Sequence, residues 1–174
     1  MINDRLHSKE VLHRFGKRVV SRSRANLTRD GRKGRLYDSL EFELDVFKNS
    51  ISLGFSMNDY GEFIDQGVSG TKRKFNTRFS FRDKMPPRRK MLEFVNRKRM
   101  RLRDRTSGKF KKGGQDSLAF LVQRHVFEQG IAPSYFFTKP FESAFKDLPD
   151  DLEEAYALDI GDMIQQAFSN GTTN

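Results

Sequence analysis

The 174-residue sequence contains no cysteine and no tryptophan. The absence of cysteine excludes disulfide bonds and thiolate metal sites, and it suits folding in a reducing compartment. No stretch approaches the roughly 18 consecutive apolar residues that a membrane-spanning helix needs. The first ten residues, MINDRLHSKE, have no apolar core, which predicts that they are not a signal peptide. We expect an intracellular or assembled protein that does not associate with a membrane.

Phenylalanine compensates for a low overall content of apolar residues. Only 36% of the chain is hydrophobic, yet 17 residues are phenylalanine. A buried aromatic side chain removes on the order of 150–250 Å² from water, and a chain of this length is long enough for one core. We therefore predict a single domain over residues 1–174, with residues 169–174 as a frayed tail.

The net charge of +10 is distributed unevenly along the chain. Residues 72–112, which we call the basic arm, carry 18 Lys and Arg against three acidic residues, a net charge of +15. Residues 1–38 carry +7, residues 39–71 carry −5 and residues 113–174 carry −7. This distribution predicts contact with a negatively charged partner, either nucleic acid or an acidic protein surface.

The clearest local pattern is that of a β-hairpin. Apolar residues at 42, 44 and 46 alternate with acidic residues, and those at 51, 53, 55 and 57 alternate with small ones. Two such runs across a short polar turn predict an antiparallel hairpin. A helix is predicted before it, over residues 4–28, with Asn3 or Asp4 as the cap.

Helices follow the hairpin in the predicted order of elements. They span residues 59–66, residues 86–104, and a segment from the cap Asp116 to Gly130. Residues 105–114 are predicted to be a mobile loop, and residues 135–137 a short edge strand. Two more helices are expected at 140–147 and after Pro149, with the core-facing stripe Leu152, Tyr156, Ile160, Met163, Ile164 and Ala167 on the last one. The fold class is α+β, with an N-terminal helix, a small hairpin-based sheet packed by helices, and a long basic insertion.

No catalytic, metal or cofactor site is predicted. The three histidines show no metal-ligand spacing, and His125 lies on an apolar helix stripe, which favours a buried or half-buried structural role. The acidic residues Glu41, Glu43 and Asp45 suit the solvent face of a hairpin better than a metal site. The glycine-bounded turns at 31–34 and 67–70 lack the fingerprint of a nucleotide loop. We therefore expect a protein that is not an enzyme.

The basic arm supplies the candidate site residues. They are Lys72, Arg73, Lys74, Arg78, Arg88, Arg89, Lys90, Arg97, Lys98, Arg99, Arg101 and Arg103. These side chains could contact nucleic-acid phosphates, reach the acidic segments of a neighbouring subunit, or stay solvated as a partly disordered arm. In the nucleic-acid interpretation, Phe75, Phe79 and Phe81 would stack on bases.

The order of the short motifs resembles that of phage neck and tail-completion proteins. The matching segments are 34–40 before the hairpin, 60–67 after it, 118–121 with 130–131, and 133–141 before the closing helix. The residues that carry the resemblance are Gly34, Leu36, Ser39, Leu40, Tyr60, Phe63, Gly67, Pro133, Phe136, Phe137 and Pro140. The chain departs from the family pattern in its basic arm, because compact members pass more directly from the glycine segment to the Pro-Phe element.

The resemblance implies a structural virion protein, made in the host cytoplasm. Such a protein would form a six- or twelve-fold homo-oligomeric ring in the neck, next to head-completion, adaptor and tail proteins, with genomic DNA in the channel. We expect the basic arm to wrap onto a neighbouring subunit, with DNA contact as the lesser role. The alternative is a free protein that binds nucleic acid without sequence specificity, and a metal-dependent nuclease is a distant third.

Overall fold

The computed structural model describes residues 6–48, 50–104, 106–110 and 113–171. Over these residues the chain forms seven helices and a two-stranded antiparallel sheet, which confirms the α+β fold class with an N-terminal helix. The helices are α1 (Leu6–Arg29), α2 (Arg35–Ser39), α3 (Tyr60–Gln66), α4 (Arg88–Arg97), α5 (Gln115–Gln129), α6 (Thr138–Phe145) and α7 (Leu148–Gly171), and the strands are β1 (Glu41–Val46) and β2 (Ile51–Ser56). In the described part of the chain, no helix combines the length and the apolar character needed to cross a bilayer.

Some sequence predictions fall outside the described residues. These are the helix cap at Asn3 or Asp4, the basic residues Arg105, Lys111 and Lys112, and positions 172–174 of the predicted tail. Of the predicted tail, residues 169–171 belong to α7.

The chain divides into two compact units. The first contains Met1–Gly61 and Tyr135–Asn174, and the second contains Glu62–Ser134. The basic arm therefore belongs to a compact unit together with α5, instead of projecting from the chain by itself. This division does not test whether the two units fold together, so the single domain over residues 1–174 stays a prediction.

The first unit is built around α1. Its apolar stripe, which includes Val11, Phe15 and Val19, packs against buried residues of α6 and α7. Aromatic rings extend this core toward the sheet, since the Phe15 ring lies 5.7 Å from Phe141 and the Phe55 ring lies 5.4 Å from Phe137, both edge to face. Such pairs add about 0.5–1.5 kcal/mol each beyond their buried area.

The hairpin has the register that its alternation predicts. Phe42 pairs with Phe55 and Leu44 with Leu53 on the face that is half-buried, whereas Glu41, Glu43 and Asp45 point to solvent. A shift by one residue would expose the aromatic face, so the pattern specifies this register.

Several predicted boundaries are wrong. Residues 135–137 form a turn instead of a strand, because Tyr135 adopts a left-handed conformation with φ +51° and the chain then enters α6. Helix α4 ends at Arg97, well before residue 104, and α5 begins with Gly114 as its cap instead of Asp116. Helix α7 starts at Leu148, since Pro149 fits the first turn of a helix, where its missing N–H is not needed.

In the second unit, residues 67–73 cross the C-terminal end of α5. Val68 and Ile131 exchange two backbone hydrogen bonds of 2.8 Å, and Lys72 donates its backbone N–H to the carbonyl of Glu128 at 2.9 Å. Gly70 permits the crossing, because a Cβ there would lie 2.5 Å from the backbone nitrogen of Gly130. Helix α4 packs against the side of α5, with Val95 fully buried.

Candidate interaction surfaces

Five of the predicted site residues are engaged in ion pairs within the second unit. Their pairs are Lys72 with Glu128 at 2.8 Å, Arg78 with Glu62, Arg88 with Asp116 at 3.6 Å, Arg89 with Glu93 at 3.2 Å, and Lys90 with Glu93 at 3.3 Å. The hydrogen bond from Lys72 holds the pKa of Glu128 below its ordinary value. Exposed pairs of this kind contribute about 0–1 kcal/mol to stability. They nevertheless reduce the number of cations that a partner can reach.

Two more predicted site residues lie beside the crossing. Lys74 donates from Nζ to the carbonyl oxygen of Gly70 at 2.9 Å, and the Arg73 guanidinium lies 5.0 Å from the centre of the Phe75 ring. Both side chains thus contact the segment that carries them.

The remaining five predicted site residues form a separate group at the end of α4. We call Arg97, Lys98, Arg99, Arg101 and Arg103 the cationic turn. All five are exposed, and within the described residues none has a carboxylate oxygen within 4.0 Å. The cationic turn is therefore a concentration of positive charge that the described part of the chain does not neutralise.

A tight helix end shapes the cationic turn. Arg99 donates its N–H to the carbonyl of Asn96, and Met100 donates to that of Val95, both at 3.0 Å. These two bonds form a Schellman motif, in which the residue after the cap adopts a left-handed conformation. Here that residue is Arg99, with φ +50°, instead of the usual glycine.

The three phenylalanines suggested for base stacking already have intramolecular contacts. The Phe79 ring lies 4.5 Å from that of Phe63, and the Phe81 ring lies 6.3 Å from that of Phe127. Phe75 is covered by Arg73, as described above, and all three are half-buried. These contacts disfavour the stacking interpretation.

The residues that carry the family resemblance lie mainly at junctions of the fold. Ser39 accepts a hydrogen bond from the Asn58 N–H at 3.1 Å, which closes the base of the hairpin beside the buried Leu36 and Leu40. Gly67, with φ +75°, contacts Ile131 and Pro133 in the second unit. Phe136 is fully buried, Pro140 is buried and Phe137 packs on the core, whereas Gly34, Tyr60 and Phe63 are exposed.

The apolar stripe predicted for the last helix does not face the core. Only Leu152 packs there, and Tyr156, Ile160, Met163, Ile164 and Ala167 are exposed, so the prediction is wrong for these five. Helix α7 instead turns Ala155 and Asp159 toward α1. The five exposed residues, which we call the α7 face, recur at the three- and four-residue spacing of one helix side. The sequence pattern did not indicate which side of α7 is buried, and no local signal indicated that Asp159 pairs with α1.

The remaining candidate groups are the histidines and the acidic clusters. His125 is exposed, so its predicted burial is wrong. Among the described residues, no group of three or more histidine or acidic side chains is positioned to hold a metal ion.

No protein-family model matches the chain, and no curated protein or solved structure matches it either. The family resemblance therefore depends on the motif residues described above.

Proposed function

We propose that this chain is a structural virion protein of a tailed phage. It would form a ring in the neck or tail-completion region, join the capsid portal complex to the tail, and let DNA pass. The order of the motif residues supports this assignment. The observation that carries it is the α7 face, because an isolated subunit would leave this face in water.

A second copy of the chain is the partner that the charges favour for the α7 face. Helix α7 contains six acidic residues and no Lys or Arg. The second unit carries 19 Lys and Arg against seven acidic residues, a net charge of +12. Contact between α7 of one copy and the second unit of the next would pair opposite charges around an apolar centre. Such a head-to-tail contact closes into a ring when its rotation permits.

The test of ring formation is a double substitution on the α7 face. Ile160 and Ile164 are 56% and 51% exposed, so Ile160→Gln with Ile164→Gln should barely change the stability of a subunit. Each lost apolar contact weakens association by about 1 kcal/mol, or roughly 30-fold for the pair. Light scattering and negative-stain images should show rings for the wild type and smaller species for the variant.

Leu158→Gln is the matched control. Leu158 is 50% exposed and lies on a different side of α7 from Ile160 and Ile164. It should leave the rings intact. A wild-type protein that stays monomeric at micromolar concentration would contradict the proposal.

Deleting residues 72–112 would not test assembly cleanly. The deletion would remove α4 together with its packing against α5, so a change in oligomer size could follow from misfolding of the second unit.

The second candidate function is nucleic-acid binding without sequence specificity. The observation in its favour is the cationic turn, in which none of the five cations has a carboxylate oxygen of a described residue within 4.0 Å. This function is compatible with a ring around DNA.

A further inference from the structure

We propose that the cationic turn binds the phosphate backbone of double-stranded DNA. The inference rests on the proposed function, since it names the residues through which the second unit would meet the DNA that passes a neck ring. It requires no base-specific contact, and it separates these five cations from the other basic residues of the arm.

The first argument is that some cations of the second unit have ion-pair partners and others do not, within the described residues. At the start of α4, Arg89 and Lys90 share Glu93, and their hydrogen bonds, that of Lys90 above all, hold the pKa of this carboxyl below its ordinary value. At the other end of the same helix, the cationic turn has no such partner among the described residues. Within the described residues, the cations at the start of this helix thus have ion-pair partners, and those at its end do not.

The second argument is the exposure of the basic residues at and after the end of α4. Arg97 is the last residue of the helix, Arg99 is left-handed, and Arg101 and Arg103 follow in a segment that is not helical. All four side chains are exposed, whereas Leu102 is half-buried, with its Cδ1 3.0 Å from the place that a Cβ on Gly114 would occupy. The structure therefore presents four guanidinium groups to solvent over residues 97–103.

The third argument is that two of these guanidinium groups are held by aromatic rings. The Arg97 guanidinium lies 5.9 Å from the centre of the Phe94 ring, and that of Arg103 lies 4.9 Å from Phe110. The backbone bridge between Arg103 and Phe110 holds the second pair in place. A stacked guanidinium keeps its N–H edge available for two parallel hydrogen bonds to a phosphate, and it loses less freedom on binding.

The left-handed Arg99 indicates that the charge at this position does more than end a helix. Glycine ends helices in this motif without steric strain, whereas an arginine must be held in a sparsely populated conformation. The helix dipole favours cations in the last turn, which accounts for Arg97 and Lys98 without a ligand. It does not account for Arg101 and Arg103, which lie beyond the helix.

The preponderance of arginine favours nucleic acid over an acidic protein surface as the ligand. Four of the five side chains are arginine, whose planar guanidinium group can donate two parallel hydrogen bonds to the oxygens of one phosphate. The preference for nucleic acid depends on this arginine chemistry alone, because Met100 and Phe110 beside the cationic turn are 36% and 57% exposed and would be available to a protein partner as well.

The test compares two variants that remove three charges each from the same unit. The site variant is Arg99→Gly with Arg101→Gln and Arg103→Gln, and the control is Arg88→Gln with Arg89→Gln and Lys90→Gln. Binding to a fluorescent duplex of about 30 base pairs of mixed sequence is measured by anisotropy between about 50 and 200 mM NaCl. The site variant should bind roughly 10-fold more weakly or worse, with a slope of log K against log salt that is shallower by about three. The slope for the control should change by less than a third as much as the slope for the site variant.

Three results would overturn the inference. The wild type could fail to bind the duplex, both variants could lose affinity equally, or the site variant could keep its DNA affinity while its oligomers dissociate. The last result would identify an acidic protein surface as the ligand. If the triple variant does not fold, the double variant Arg101→Gln with Arg103→Gln avoids the left-handed position and should still reduce the slope by about two.

Light scattering on the same samples separates this inference from ring formation. If a monomer binds the duplex, the proposed ring is contradicted and the proposed DNA site is not. If the protein forms rings that do not bind the duplex, only the proposed DNA site is contradicted.

Discussion

At the first turn of α1, two backbone N–H groups and one hydroxyl point at a single carboxylate from α7. Asp159 accepts from the N–H of His7 at 2.9 Å and from the N–H of Ser8 at 3.1 Å, and the Ser8 hydroxyl donates to it as well. Burial raises the pKa of Asp159, but these hydrogen bonds outweigh that effect, so its pKa lies below the ordinary value. Asp159 therefore caps a helix whose first turn lies 151 and 152 residues away in sequence, and its negative charge interacts favourably with the N-terminal end of the α1 dipole.

We expect Asp159→Asn to destabilise the protein by about 2 kcal/mol, because the hydrogen bonds lose their charged acceptor. A lowered pKa means that the contribution is complete above the ordinary Asp pKa of about 3.9 and is lost as pH falls through the folded-state value. Urea unfolding should thus show a constant difference between wild type and variant from about pH 5 to 8, and a shrinking one toward pH 3.

The control for this prediction is Glu153→Gln, an exposed position on the same helix, which should change stability by less than about 0.5 kcal/mol. A difference between wild type and Asp159→Asn that persists undiminished at pH 3 would contradict the role of the ionised carboxylate.

At the scale of elements, the crossing of residues 67–73 over the end of α5 organises the second unit. Backbone meets backbone there, since Thr71 donates to the carbonyl of Phe127 at 2.9 Å and both Lys72 and Arg73 donate to that of Glu128. Contact at this range leaves no room for a side chain at Gly70.

Gly70→Ala should therefore destabilise the second unit by about 2 kcal/mol or more, because the obstructing atoms are backbone and cannot rotate away. Gly161→Ala is the opposite case, with nothing within 4 Å of the added Cβ and an ordinary helical backbone. It should stabilise α7 by about 0.5–1 kcal/mol. Thermal unfolding of both variants checks the pair, and equal melting temperatures would contradict the close crossing.

At the scale of the whole molecule, the two compact units differ in their charge. The second unit holds a net charge of +12, which leaves −2 for the first. Each unit has packing of its own, with the α1 core in the first and the contact of α4 with α5 in the second.

We expect the two units to respond separately to damage. In hydrogen exchange read by mass spectrometry, Gly70→Ala should increase exchange in α5 and leave α1 protected, whereas Asp159→Asn should increase exchange in α1 and α7 and spare α5. If either variant increases exchange equally throughout the chain, the protein unfolds as one cooperative domain.

Patterns within a few residues were sufficient for much of the fold. The alternation in residues 41–57 determined the hairpin and its register, and the stop signals at Gly67 and Gly130 determined where α3 and α5 end. Helix α4 ended earlier than predicted because Arg99 took the left-handed position that the sequence rules reserve for glycine. The strand predicted at residues 135–137 was wrong for the same reason, because Tyr135 also adopts a left-handed conformation.

Local sequence patterns were enough to predict the fold class, the hairpin and the concentration of positive charge in residues 72–112, because each depends on neighbours along the chain. Which cations have an acidic partner, and which side of α7 is covered, depended on contacts between residues that are far apart in the sequence. Lys72 meets Glu128, and Ser8 meets Asp159, across separations that no local pattern encodes. An apolar stripe determines how much surface a helix can bury, whereas contacts with distant residues determine which side of the helix is buried.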